Sequence, residues 1–147
     1  MRPGTPDDFE QVAALGAKFH EQTAWAKHIP YSFEGGVQWA KLMWDHGLLV
    51  VADNGKDVVA VVGGLRYPFL NNPDWIIGSE ILWWVEPEYR NGGLGKTMLH
   101  AIEEAARDAG CHLWVMVTLE AVEPEKAGAI YRKLGYELTE HSYMKEL

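Results

Sequence analysis

The chain has 147 residues, 48% hydrophobic and 23% charged, which is enough to bury one sizeable core and excludes long disorder. Its formal net charge of −8, with no concentrated basic segment, excludes a reader of nucleic-acid phosphates and favours cationic or amine-bearing partners. A lone cysteine, Cys111, excludes an internal disulfide; no apolar run approaches the roughly 18 residues of a spanning helix, and Met1 to Asp8 lack the apolar core of a secretory leader. The expectation is a single domain over residues 1–147, cytoplasmic and without membrane association.

Thr5, Pro6 and Asp8 start the first helix in capping-box fashion, and its apolar face is Phe9, Val12, Ala13, Leu15 and Phe19. Gln22 to Tyr31 read as irregular. Ser32 caps a second helix with Val37, Ala40, Met43 and Trp44, ended by Gly47. Leu48 to Ala52 form a strand, Asp53-Asn54-Gly55-Lys56 a hairpin turn, and Val58 to Leu65 the return strand. A loop with Pro68 and Pro73 leads into a third strand, Trp75 to Val85. The clearest helix runs from Gly93 to Ala109, with Leu94, Met98, Leu99, Ile102, Ala105 and Ala106 along one stripe and Lys96, Glu103, Glu104, Arg107 and Asp108 opposite. His112 to Thr118 form a strand, Pro124 to Leu134 a short helix stopped by Gly135, and Tyr136 to Lys145 a last strand. A meander followed by alternation of strands and helices predicts a mixed α/β sheet with at least one parallel crossover pair.

The chemistry concentrates between a strand end and a helix start, at Glu86-Pro87-Glu88-Tyr89-Arg90-Asn91-Gly92-Gly93-Leu94-Gly95-Lys96. Glycines allow close backbone approach, and the free N–H groups and dipole of a helix N-terminus attract an anion, so a phosphate is expected at Asn91 to Lys96. A turn that merely opens a helix is the plainer reading; three glycines in four positions, flanked by Arg90 and Lys96, weigh against it. A nucleotide P-loop would need glycine where Arg90 stands, and a strand ending in aspartate that His112 to Glu120 do not supply. A dinucleotide fingerprint fails at Met98, where a small residue is required.

Arg90-Asn91-Gly92-Gly93-Leu94-Gly95 resembles the [QR]-x-x-G-x-[GA] acetyl-CoA signature of the GNAT superfamily of N-acetyltransferases. Val85 to Tyr89 are similar to the strand end that precedes it, and Ala129-Ile130-Tyr131-Arg132-Lys133-Leu134-Gly135-Tyr136 to the superfamily's C-terminal motif. Order and spacing match over residues 5 to 145. The resemblance implies an α/β GNAT-like acyl-CoA N-acyltransferase fold, an antiparallel meander followed by parallel crossover strands that splay to admit acetyl-CoA. It further implies that the backbone of Trp83, Trp84 and Val85 pairs with the pantetheine arm. Backbone N–H groups of Asn91, Gly92, Gly93, Leu94, Gly95 and Lys96, with Arg90 in the signature, would hold the pyrophosphate. Two departures are a first strand reduced to the residues before Thr5, and Pro124 near the place where many relatives carry a cofactor-touching asparagine.

An amine with a pKa of about 10.4 is ammonium at neutral pH, so attack on a thioester calls for a base, and the departing thiolate gains from a proton donor. By its motif position Tyr131 is the donor candidate; packing beside Ile130 and Leu134 is the other reading. Glu80 is the base candidate, a carboxylate among Ile77, Ile81, Leu82 and Trp83, where desolvation raises its pKa. An edge glutamate of ordinary pKa, or deprotonation by a water relay, are the alternatives. Glu120, Glu123 and Glu125 read as solvated loop residues or an acidic mouth, Trp25, His28 and Tyr31 as an acceptor pocket or a packed lid. The six histidines show no metal-ligand spacing, so no metal is expected. The function expected is transfer of acetyl to a primary amine of a small molecule or peptide, in a possible homodimer through exposed tryptophans. The competing class is a non-catalytic acyl-CoA-binding module of the same fold.

Overall fold

A continuous apolar run folds as strand only if both sheet faces are covered, and Leu49 to Ala52 and Val58 to Val62 are such runs. The computed structural model describes residues 1–121 and 123–147, and shows how the cover is made. Five strands lie in chain order: β1 (Arg2–Pro3), β2 (Leu49–Asp53), β3 (Val58–Phe69), β4 (Asn72–Val85) and β5 (Leu113–Val115). The first four pair antiparallel, and β4 pairs with β5 in parallel. Helices α1 (Phe9–Glu21) and α2 (Phe33–Asp45) cover one face, where Val12, Leu15, Ala40 and Met43 pack on Leu49, Val51, Val61, Leu82 and Trp84. Helix α3 (Leu94–Asp108) covers the other, with Met98, Ile102 and Ala106 on Val50, Ala52, Ala60, Val62 and Val85. Successive strand residues thus serve opposite cores, as the period of two requires. Helix α4 (Pro124–Lys133) closes the order, and none of the helices, among the described residues, is long and apolar enough to cross a membrane.

Several element bounds differ from the sequence reading. The expected loop around Pro68 and Pro73 is strand: Pro68 stands opposite Ile76, and by alternation from Gly64 and Arg66, whose N–H groups turn to Leu48 and His46, its missing N–H falls on the side away from β4, past the last β2 pairing at Gly63. The strand expected over His112 to Thr118 shortens to Leu113–Val115 because β5 parts from β4 beyond Ser79. No strand forms over Tyr136 to Lys145. Alternating side chains make a strand only where a backbone edge lies alongside, whereas here Tyr136 is drawn to α3 by a hydrogen bond to Glu103 (2.7 Å) and Leu138 and Tyr143 face solvent. Glu103, expected on the solvent side of its helix, is therefore engaged.

One irregularity positions the site. Gly63 stands opposite Leu82 but Gly64 opposite Glu80, so Ile81 is an extra residue in β4, a β-bulge. Cross-strand partners share a face. A Cβ on Gly63 would meet Met43 of α2, while one on Gly64 would meet the Trp114 ring. Leu82 and Glu80, two residues apart, consequently point to opposite faces. Without the bulge the carboxylate would enter the α1–α2 core.

Candidate active site

Among the described residues, the β4 edge that faces β5 has no partner strand beyond Ser79, because β5 pairs at Ile77, Gly78 and Ser79. Glu80 lies at that fork, 8% exposed. Its Oε2 accepts the Val117 N–H (3.3 Å) from across the divergence, and the Tyr131 hydroxyl donates to the Val117 carbonyl (3.0 Å). One peptide segment thus ties together the two side chains assigned to acid–base roles, although they are far apart in sequence and lie on different elements. Burial pushes the Glu80 carboxyl up to about 7, against a smaller lowering by the Val117 N–H. Burial, then the nearby Glu80 charge and Tyr136, hold the Tyr131 phenol well above its ordinary range, so it keeps its proton at neutral pH. A carboxyl poised near neutrality can take or release a proton at pH 7, and the phenol beside it is present in its protonated, hydrogen-bond-donating form.

Downstream, the strand end and the glycine loop are held together by Arg90, whose Nε donates to the Val85 carbonyl (2.8 Å) and whose guanidinium lies over the Trp84 ring at 4.6 Å. Arg90 therefore positions the loop through strand and ring. The Glu86 N–H donates to Val59 (2.9 Å); by the two-residue alternation Trp84's main-chain groups also face β3, whereas those of Trp83 and Val85 face the open edge. Of the three residues expected to pair with a ligand through their backbone, Trp84 is thus committed to the sheet and to the α1–α2 core.

The loop itself divides in two. Pro87–Gly92 is a 3₁₀ helix, in which N–H groups bond back three residues, so those of Asn91 and Gly92 lie within that ladder. Gly93 takes a left-handed conformation (φ 81°) and opens α3, and the first ladder bond there runs from Thr97 to Gly93 (3.1 Å). The donors without an intrahelical partner are therefore those of Gly93, Leu94, Gly95 and Lys96, at the positive end of the helix dipole. A Cβ on Gly92 or Gly93 would meet nothing within 4 Å, whereas one on Gly95 would press on Trp83 at 3.3 Å. The geometry fits a phosphate: an open approach, aligned main-chain donors, and a tight seat of the helix on the strand. Among the described residues, the buried indole N–H of Trp83 has no hydrogen-bond partner.

The other expected residues have no recorded hydrogen bond to Glu80 or Tyr131. Tyr31 is a packing residue, its hydroxyl donating to Ala13 (2.7 Å) between α1 and α2, while Trp25 and His28 are exposed. Glu120, Glu123 and Glu125 are solvent-exposed, Glu123 within 3.4 Å of Lys126. Residues that sequence reasoning missed are Gly64, where a Cβ would overlap the Ser79 carbonyl oxygen, and Val117, whose main chain joins the two candidate side chains. The pair Gly63-Gly64 inside an apolar strand was the available signal for the first; a main-chain role such as Val117's leaves no trace in residue type.

Residues 45–138 match the acetyltransferase (GNAT) domain. An aminoglycoside N(6')-acetyltransferase type 1 from Stenotrophomonas maltophilia is 31% identical over 93 residues; the match spans 63% of this chain and 60% of that relative's length. Among solved structures, a GCN5-related N-acetyltransferase from Ralstonia eutropha JMP134 superposes with a TM-score of 0.76 at 20% identity, covering 99% of this chain and 96% of that one. A predicted acetyltransferase with acetyl-CoA from Clostridium acetobutylicum superposes with a TM-score of 0.73 at 16% identity, covering 99% and 94%. The structural likenesses concern the mixed, forked sheet, and with the matched domain they lead to one conclusion: the chain belongs to the GNAT acetyltransferase family.

Proposed function

We propose that the protein is an acetyl-CoA-dependent N-acetyltransferase in which a primary amine attacks the thioester directly within a ternary complex. The observation that carries this reading is the convergence of Glu80 and Tyr131 on Val117 at the fork of β4 and β5. Glu80 takes a proton from the bound ammonium, which frees the lone pair that forms the C–N bond. Tyr131 gives its hydroxyl proton to the CoA sulfur as the C–S bond breaks, and the proton the acylated nitrogen then sheds restores the phenol of Tyr131. The Trp83 main chain and the Val85 N–H offer the open edge to the pantetheine arm, the Val85 carbonyl being taken by Arg90, and the N–H groups of Gly93 to Lys96 hold the pyrophosphate. This division of work is supported by which backbone groups the sheet and the 3₁₀ helix leave free. For the acceptor, the net charge of −8 and the aminoglycoside-acetylating relative both favour a cationic amine.

Calorimetric titration tests the cofactor half. Acetyl-CoA should bind in the micromolar range and ATP·Mg²⁺ should not. Gly92→Trp, which introduces no left-handed residue and fills open space in front of the helix start, should weaken acetyl-CoA binding at least tenfold, about 1.4 kcal/mol. Absence of acetyl-CoA binding to the wild-type chain would overturn the proposal. Thiol release with a panel of amines, aminoglycosides included, then tests transfer.

A further inference from the structure

Helix α4 carries Tyr131, and its end is built so that a neighbour controls that side chain. The Gly135 N–H bonds the Arg132 carbonyl (3.1 Å) and the Tyr136 N–H bonds the Tyr131 carbonyl (3.0 Å), with Gly135 left-handed at φ 90°. This is a Schellman ending, in which the second residue past the cap folds back over the third-last residue of the helix. Those two residues are Tyr136 and Tyr131, and their rings lie 5.6 Å apart at 47°. Tyr131 is flanked on its other side by Trp83, at 5.9 Å. Tyr136 in turn reaches the α3 helix, its hydroxyl donating to Glu103 Oε1 at 2.7 Å. The other carboxylate oxygen of Glu103 lies 3.8 Å from both His100 Nδ1 and Arg107 Nη2, so the Arg107 guanidinium on the same helix is a charged neighbour of Glu103.

We infer that Glu103 and Tyr136 are positioning residues for the reaction: they anchor the end of α4 to α3 and thereby fix the ring of Tyr131 at the fork. The inference rests on the reading of Tyr131 as proton donor to the leaving thiolate. The ring that must meet a sulfur is otherwise held by one hydroxyl contact to Val117 and by its packing on Trp83. A displacement of about 1 Å at a reacting group can cost about a hundredfold. Glu103 has no recorded contact with the fork and Tyr136 reaches it through the Tyr131 ring, away from the glycine loop, so binding of acetyl-CoA is not expected to depend on them.

A kinetic double-mutant cycle tests this on the full chain, with melting temperatures recorded for every variant. Glu103→Leu and Tyr136→Phe should each lower kcat roughly ten- to a hundredfold and leave KM for acetyl-CoA within about twofold. Glu103→Gln keeps an oxygen that accepts the Tyr136 hydroxyl and should stay within about twofold of wild type. In a Tyr131→Phe background, Glu103→Leu and Tyr136→Phe should have almost no further effect, because the group they position is gone. Wild-type kcat in Glu103→Leu and Tyr136→Phe, or the same loss persisting in the Tyr131→Phe background, would overturn the inference. If Tyr131→Phe alone leaves kcat unchanged, the reading of Tyr131 as donor fails, which the cycle distinguishes from failure of the anchor.

Discussion

Two carboxylates of this molecule expose similarly little surface, Asp8 at 3% and Glu80 at 8%, but Glu80 lies deeper, and their environments drive them in opposite directions. Asp8 accepts two hydrogen bonds from the Arg2 guanidinium (2.7 and 2.8 Å) and two more from the Thr5 N–H and hydroxyl (2.8 and 2.9 Å). The bonds from Arg2 hold its carboxyl down to about 2, overcoming the upward push of burial. Glu80 has one N–H at 3.3 Å among its recorded contacts, and burial carries it up to about 7. Burial alone does not say what a carboxylate is for; the supply of opposing charge and donors does. Where that supply is complete, the group fastens the N-terminus. Where it is withheld, the group can exchange a proton at neutral pH.

The largest expected effect breaks the second half of this contrast. Glu80→Gln keeps the shape and an oxygen for the Val117 N–H but loses the proton acceptor. It should lower kcat/KM on the order of 10²- to 10⁴-fold while acetyl-CoA still binds. In the wild type kcat/KM should rise with pH through an apparent value near 7, and that limb should vanish in the variant. Stability moves the other way. The folded carboxyl titrates about 7 against an ordinary 4.5, so between those values the folded chain holds a proton that the unfolded chain has released. Stability contributed by this group is therefore lost as pH rises from about 4.5 to 7. Glu80→Gln should match wild type near pH 4.5 and exceed it by a few kcal/mol at pH 8. Denaturant titrations at the two pH values check the sign, and a variant less stable than wild type at pH 8 would contradict it.

A smaller effect comes from the bulge that aims Glu80. Gly64→Ala places a methyl against the Ser79 carbonyl and the Trp114 ring, both parts of the fork. The strand must shift, at about 1–3 kcal/mol by the usual cost of overpacking, and the re-aimed carboxylate should carry activity down with it. Gly63→Ala is the control: the atom in its way is the flexible Met43 side chain, although Leu48's carbonyl is also near. It should cost stability with less loss of kcat. Equal kcat losses in the two variants would mean that the bulge does not set the position of Glu80.

These two carboxylates also show what the sequence discloses and what it hides. Thr5, Pro6 and Asp8 announce a helix start by residue type, and the turn they build is local, so a capped turn forms there, as a 3₁₀ turn over Pro6–Asp8 that leads into α1 at Phe9. Glu80 announces itself as a charge amid apolar neighbours, and Gly92, Gly93 and Gly95 as a loop before an amphipathic helix. In both cases chemistry and neighbourhood lie within a few residues. What stayed hidden depends on partners distant in the chain. Strand alternation counted from Glu80 places it with Leu82 and Trp84; only pairing with Gly63 and Gly64 reveals the extra residue Ile81. The alternation of Tyr136 to Lys145 suggests a strand, yet the bond from Tyr136 to Glu103 takes its first residue elsewhere. The direction of main-chain groups was equally hidden: Trp83 and Val85 differ from Trp84 only by which way their peptide groups face, and Asn91 from Gly93 by the helix it belongs to.

The smallest effect tests the first half of the contrast. Asp8→Asn retains the size of the side chain and removes the charge that Arg2 clasps. Arg2 also reaches Asp53 at 3.2 Å and its side chain is 41% exposed, so part of its charge is met by solvent and by a second carboxylate. The loss is therefore put at about 1–2 kcal/mol, the range of a charge-assisted hydrogen bond reduced by solvent screening. Asp8 is a depressed carboxyl, so its stabilisation is present above about 3.8 and disappears as pH falls toward 2. Wild type and Asp8→Asn should consequently differ at pH 7 and converge near pH 2, the reverse of the pH order expected for Glu80→Gln. Acetyl transfer should be unchanged, because Asp8 fastens β1 and the start of α1, away from the fork. A fall in kcat without a fall in stability would show that the N-terminal clasp communicates with the site, and the division between a structural and a chemical carboxylate would have to be redrawn.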